Sequence, residues 1–392
     1  MFQPPPGEIF GPPDWNLIVG PFGPVFNPPV SNAPLNVTPT LSIREEYDDN
    51  IFRNNQNRRA DFISALTPGV RVLVQQPGYR VFAGYDISAE VYARNPDLSN
   101  VGDRQNFYLD ASYEWSSRLT LTLGDTFVRT YDTSRTSVQG IATGRAQVTS
   151  NTIAPGLTYV LTPRDTLRVM GSYTVTRVDE AAQSEARSNS ESYGIDSILT
   201  HTLTPRLNGT IGYQVRRSEF EAGDSSTVQT VRLGGTYQIT PLLTVLASGG
   251  VAIETTRQRT EVTPVATVSL TQQFWFGAAS VNYNRSVGTA GTLGQTTDNQ
   301  SIGGALVATS LLPGVNLMFA PRYSTTKSST VNVKTFTADL AASLNINRYL
   351  SVFGAYTLLL QRSSGSAGGV AGDIDQNRVF VGMQVRYPID LN

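Results

Sequence analysis

Leu161-Thr162-Pro163-Arg164-Asp165-Thr166-Leu167 is a tight turn between two alternating stretches, and the chain keeps returning to it. Close copies are Leu203-Thr204-Pro205-Arg206-Leu207 and Ile239-Thr240-Pro241-Leu242-Leu243. Looser ones are Trp115-Ser116-Ser117-Arg118-Leu119, Leu311-Leu312-Pro313-Gly314-Val315 and Ile346-Asn347-Arg348-Tyr349-Leu350, while Gln75-Gln76-Pro77-Gly78 and Thr271-Gln272-Gln273 fill the remaining places. The spacing between turns is roughly 40 residues, as a repeated pair of strands gives. The opposite ends of the hairpins read as long polar loops. Tight turns at one end and long loops at the other predict a transmembrane β-barrel.

The strands on either side obey a period of two. After Pro163, Leu167, Val169, Gly171, Tyr173 and Val175 take one parity, against Arg168, Met170, Ser172 and Thr174. After Pro205, Leu207, Gly209, Ile211, Tyr213 and Val215 oppose Asn208, Thr210, Gly212, Gln214 and Arg216. One face is fit for lipid and the other for water.

Aromatic residues recur at two depths on the apolar parity. Tyr85, Tyr173, Tyr213, Tyr283, Tyr323 and Tyr356 lie several residues beyond their turns, whereas Tyr79, Trp115, Trp275 and Tyr387 lie close to them. A tilted strand crosses a bilayer in roughly 9–11 residues. The two sets therefore predict two interfacial girdles, in which each ring stays in hydrocarbon and its polar atom meets water.

Composition agrees. Only 16% of the 392 residues are charged, yet mean hydropathy is slightly negative and no apolar run of transmembrane-helix length occurs. Alternation reconciles these facts. The net charge of −1 predicts no nucleic-acid partner, and the absence of cysteine removes disulfide and thiol chemistry. Met1-Phe2-Gln3-Pro4 is no secretory leader, so the expectation is a leader already removed and an outer-membrane location.

The strand count comes to about 18, with 16 or 20 also compatible because Glu254–Thr271 carries poor turn signals; the expected fold is an antiparallel up-and-down barrel over residues 36–392. Barrels of this size enclose an aqueous channel. Residues 1–35 differ: eleven of the 22 prolines fall between Pro4 and Pro39, among Phe10, Trp15, Phe22 and Phe26. Proline cannot donate to a ladder, so this segment is predicted to stay out of the sheet. It reads as a periplasmic tail, a plug folded into the lumen near Arg80 or Arg168, or a docking peptide for a periplasmic partner.

The lumen-facing parity holds Arg44, Arg71, Arg80, Arg168, Arg216, Arg232, Arg322 and Arg386, with Glu46, Asp86, Glu90, Asp110, Glu114, Glu254 and Asp339. These are pore-lining candidates, or else cross-strand ion pairs that stiffen the wall. Their near-balance of sign predicts no strong ion selectivity. His201 is the single histidine, and Ser197 shares its lipid-side face, so no hydrolase is expected. Asp48-Asp49-Asn50 and Asp373-Ile374-Asp375 lack a calcium-loop pattern and read as solvated loop acids. Neither metal nor cofactor is indicated.

The first hairpin carries a resemblance. Leu41-Ser42-Ile43-Arg44-Glu45-Glu46-Tyr47-Asp48-Asp49-Asn50-Ile51-Phe52, followed by Asp61-Phe62-Ile63 and Leu66-Thr67-Pro68-Gly69-Val70, resembles the opening of the second-type outer-membrane β-barrel porins of Proteobacteria. Many of that family lie beside exopolysaccharide or exosortase genes. The resemblance implies an outer-membrane exit conduit for a secreted polysaccharide, with outer-membrane lipid or lipopolysaccharide around the barrel and a periplasmic export component on residues 1–35. A general diffusion pore for small solutes, or a closed scaffold for a periplasmic or surface partner, is the alternative.

Overall fold

A strand whose alternate residues suit lipid and water leaves its backbone groups to be satisfied by neighbours. In hydrocarbon an unpaired group costs several kcal/mol, so a spanning sheet must close on itself. A computed structural model describes residues 19–20, 23–24, 33–133, 141–179, 189–221, 225–257, 259–289, 295–328, 331–365 and 372–391. It shows that closure. Eighteen strands run β1 (Leu35–Asp48), β2 (Asp61–Gln76), β3 (Tyr79–Tyr92), β4 (Asn100–Glu114), β5 (Leu119–Asp132), β6 (Arg145–Thr162), β7 (Asp165–Val178), β8 (Ser190–Thr204) and β9 (Leu207–Phe220). They continue as β10 (Ser226–Thr240), β11 (Leu243–Thr255), β12 (Thr260–Phe274), β13 (Gly277–Thr289), β14 (Thr296–Ala308), β15 (Val315–Lys327), β16 (Val331–Asn345), β17 (Leu350–Gly365) and β18 (Ile374–Arg386).

Each strand pairs antiparallel with the next, and β18 returns to β1 from Arg378↔Asp48 to Arg386↔Thr40. A short final strand, Ile389–Leu391, extends this seam along Leu35–Val37. Both ends of the barrel therefore lie at the short-turn rim. Gly78, at φ +87, occupies the left-handed position of the Pro77-Gly78 turn, which a side chain would strain. The Thr162, Thr204 and Thr240 hydroxyls accept backbone N–H bonds inside their turns, the local reason that Thr-Pro recurs.

The outward face is apolar and exposed along Leu41, Ile43, Leu66, Ile211, Leu233, Val251, Leu340 and Val381. The inward rows are polar: Thr38, Ser42, Thr210, Thr230, Ser248, Thr267 and Ser280. Such an outer band on a closed, even-stranded antiparallel barrel belongs to an outer membrane. Ladder closure and lipid hold the wall, and buried side chains pack against its inner face.

Three expectations need correction. Thr271–Gln273 lies inside β12, and the turn is Trp275-Phe276, since nothing in this apolar pair signals a turn. Outer loops are not uniformly long: β11 and β12 are joined through 256–259 and β15 to β16 through 328–330. Asp48 is no solvated loop acid but the buried, inward-facing end of β1. The expectations for residues 1–35 lie largely outside the described residues, where only Val19–Gly20 and Gly23–Pro24 form a short ladder.

Candidate pore constriction and lumen wall

The first outer loop turns into the barrel mouth, and the sequence explains how. Ile51 packs with Ile63 and Tyr92, with Phe52 and Leu98 against them, so the loop has an apolar reason to leave solvent. Behind this anchor Arg53 takes φ +53, an uncommon left-handed conformation for a side chain of its size. Arg53 Nη2 lies 2.7 Å from Asp132 Oδ1 at the end of β5, and its Nη1 donates to the Tyr131 carbonyl at 3.1 Å. Burial lowers the pKa of this guanidinium, while the Asp132 carboxylate beside it pulls the other way.

The same carboxylate reaches across to the other side of the barrel seam. Arg378 Nη1, on β18, donates to Asp132 Oδ2 at 2.6 Å, and its Nε donates to Glu46 Oε1 on β1 at 2.8 Å. Arg44 lies 3.1 Å from Glu46 and 3.5 Å from Glu90, and Arg104 Nε is 3.0 Å from Glu90. Gln376 Nε2 closes the ring by donating to Asp48 Oδ2 at 2.7 Å. Arg145 is held between the rings of Tyr92 and Tyr131, at 5.2 and 4.3 Å from their centroids. This lattice runs from β18 through β1, β3 and β4 to β5, and it is almost wholly buried. An ion network out of water is costly to desolvate and stable only with near-complete pairing.

A second loop reaches the far wall. Ala142 donates its N–H to Gln361 Oε1 on β17 at 2.9 Å and accepts from Gln361 Nε2 at 2.8 Å. Ala142 also packs with Leu359 and Ile374. The side-chain amide substitutes for a strand partner.

Lower in the lumen, β2–β4 carry a second set of pairs. Arg71 Nη2 donates to Asp86 Oδ2 at 2.6 Å and Arg80 Nη1 to Asp110 Oδ1 at 3.2 Å. Gly84 makes room for Tyr108: a Cβ there would lie 2.4 Å from the Tyr108 ring, which tilts against Phe82 and lies under Arg71.

The wall across the lumen differs. Arg168, Arg216 and Arg232 face inward from β7, β9 and β10, and Asp196 faces inward from β8 between them. In register Gly194 opposes Arg216, Ile198 opposes Arg168 and Gly212 opposes Arg232. A hollow beside them is lined by Asp196, Gly212, Gln214, Thr230 and Arg232. Asp196 is the one acid on the inward rows of β7–β10.

All the other lumen candidates lie on the inward parity too. Asp339 Oδ1 accepts from Thr357 at 2.8 Å, and Arg386 Nε donates to the Arg348 carbonyl at 3.0 Å near the short-turn rim. Arg322 opposes Thr337, Glu254 opposes Val228 and Glu114 ends β4 at that rim. Sequence reading missed Asp196 and Arg104, which share the inward parity and were findable. It also missed Asp132, Gln361, Gln376 and Arg378, which share that parity as well, and Arg53 and Arg145, for which no local signal exists.

On the outside, Tyr79, Trp115, Trp275 and Tyr387 sit at the short-turn rim, and Tyr213, Tyr283, Tyr323 and Tyr356 are exposed higher up. Tyr85 and Tyr173 are half-buried because Tyr85 donates to Gln105 and Tyr173 stacks on Tyr193 at 5.0 Å. His201 Nδ1 lies 2.7 Å from Asp165 Oδ1 on this outer face. Ser197 is four residues along the same strand, about 13 Å away, so the three cannot act together. Among the described residues no cluster of acidic or histidine side chains is arranged to hold a metal ion. Asp49 and Asp375 instead bind Asn377, Asn55 and their arginine neighbours.

Comparison with solved structures finds outer-membrane barrels of similar extent. OccAB4 of Acinetobacter baumannii shares 12% identity over 92% of this chain and 100% of its own, with a TM-score of 0.47. OpdO of Pseudomonas aeruginosa shares 12% over 91% and 97%, at 0.48. OccK2 (OpdF) of Pseudomonas aeruginosa, solved in complex with glucuronate, shares 10% over 91% and 98%, at 0.46. No family model and no curated protein matches the chain.

Proposed function

We propose that this chain is a passive outer-membrane channel for small hydrophilic solutes, with a preference for anions. One observation carries the reading: charge in the lumen is sorted by wall. On β18 and β1–β5 arginines and carboxylates interlock in pairs, whereas on β7–β10 three arginines share one inward carboxylate. A wall with excess guanidinium in a narrow, low-dielectric passage raises the local concentration of anions. The buried lattice supports the small size of the solute, because the first outer loop and the Arg378–Asp132 contact occupy part of the mouth. Polysaccharide export, the role implied by the resemblance of the first hairpin, has no counterpart in this geometry, for a polymer exit favours an unobstructed mouth.

The test is planar-bilayer recording across a salt gradient with the intact protein. The reversal potential is expected on the anion side, and Arg216→Gln with Arg232→Gln is expected to move it towards the unselective value. A cation-side potential, or one that the double substitution leaves in place, would overturn the reading.

A further inference from the structure

Asp196 differs from Glu46, Asp86, Glu90 and Asp132 across the lumen, each of which is ion-paired with an arginine. It takes no hydrogen bond and makes no close ion pair among the described residues, although three guanidiniums act on it. Register explains the arrangement. On the inner face of β8 Asp196 lies directly opposite Met170 on β7 and Gln214 on β9. Arg168 and Arg216 are its diagonal neighbours on those strands, one towards the short-turn rim and the other towards the outer mouth. Diagonal neighbours stand about 7–8 Å apart, within the field of a long charged side chain but beyond the grasp of a short one.

Missing side chains decide where the guanidiniums lie. Gly194 opposes Arg216, and a Cβ there would stand 3.7 Å from Arg216 Nε, so this arginine leans over β8. Gly212 opposes Arg232 and puts no side chain between it and β8. Asp196 and Arg232 therefore line one hollow, together with Gln214 and Thr230. Arg168, Asp196, Arg216 and Arg232 are all half-buried on the inward rows, so each meets the lumen.

A spaced cluster acts on solutes in a way that a closed ion pair does not. In a closed pair each charge is largely cancelled by its partner. Here the guanidiniums keep their field in the lumen and the carboxylate subtracts from it. Conduction needs a site that draws a solute in and still lets it leave. Three guanidiniums around one hollow, with no counter-charge, would hold a multivalent anion. One unit charge at about 7 Å through water changes the local concentration of a singly charged solute roughly threefold, and that of a doubly charged one by the square, about tenfold.

We propose that Asp196 sets the charge specificity of the lumen: as a fixed counter-charge it keeps dianions from lodging on Arg168, Arg216 and Arg232, so that anions pass and do not block. The inference deepens the anion-channel reading and rests on it.

The test is block of chloride current in planar bilayers by succinate and by monomethyl succinate, a dianion and a monoanion of similar shape at neutral pH. The intact protein, Asp196→Asn and Asp196→Glu are compared, each first checked for a heat-modifiable band on SDS gels. Asp196→Asn is expected to lower the half-blocking concentration of succinate about tenfold and that of the monoester about threefold. Asp196→Glu, which keeps the charge, is expected to stay near the intact protein for both. Adding Arg232→Gln to Asp196→Asn is expected to relieve the succinate block. Equal shifts for the two anions, no shift, or the same shift in Asp196→Glu would overturn the proposal. The reversal potential of the intact protein separates the two readings. A cation-side value sinks the anion preference, whereas an anion-side value with charge-blind block sinks only the role of Asp196.

Discussion

Arg378, on the last barrel strand, and Asp132, at the outer end of the fifth, meet at 2.6 Å although 246 residues separate them. Four strands, β1 to β4, lie between them along the wall. The contact is a chord that ties the seam of the barrel to its flank, and the first outer loop is fastened beneath it through Arg53. Stability and pore geometry therefore depend on the same few ions.

Removing one partner of this chord leaves a buried charge unpaired. Asp132→Leu and Arg378→Met are each expected to destabilise the barrel by about 3–5 kcal/mol, and the double variant by clearly less than their sum. Urea unfolding in detergent, followed by the heat-modifiable band, measures all three. Additive losses would show that the two residues are not coupled.

Arg53→Ala frees the inward loop without touching a strand. Its expected effect on global stability is small beside that of Asp132→Leu, because the wall ladders remain and Asp132 keeps its bond from Arg378. Single-channel recording is expected to show a larger and noisier current. A quiet current of unchanged size would mean that the loop does not border the pore.

Gly84→Ala places a Cβ about where the Tyr108 ring stands, at 2.4 Å. Overpacking of this kind costs roughly 1–3 kcal/mol. Tyr108→Leu in the same protein is expected to restore most of the loss, which separates steric conflict from a strand-propensity effect. Thermal melts monitored by circular dichroism give the comparison.

Leu233 is 68% exposed at the middle of the lipid-facing row of β10, while Gln214 faces the lumen from β9. Leu233→Arg is expected to cost about 2–4 kcal/mol in bilayers and Gln214→Arg close to nothing. Folding titrations into vesicles test this. Equal costs would be incompatible with the assignment of faces.

Gln361→Leu keeps the shape of the clasp but removes both bonds to Ala142. The buried amide and carbonyl of Ala142 are then unmet, at about 1–3 kcal/mol. Hydrogen exchange at Ala142 is expected to accelerate by at least tenfold, with the β17 ladder amides unchanged. Protection retained at Ala142 would place its anchor elsewhere.

The Thr-Pro turns, the two-residue period and the aromatic spacing made the barrel, its strand number and the faces of its strands legible from sequence. Those are consequences of local rules: a turn needs particular residues, and a pleat sends alternate side chains to opposite sides whatever else the chain does. Parity told that Arg44, Glu90 and Arg232 face the lumen. It could not tell that the first two sit in a buried lattice while the third shares one carboxylate with two other arginines. Nor could it show the inward turn of Arg53, the reach of Asp132 to Arg378, or the amide clasp of Gln361 on Ala142. Each of these joins residues far apart in the chain. Which side chains meet within a closed barrel depends on its curvature, the stagger of its strands and the path of its loops, and no local pattern encodes these.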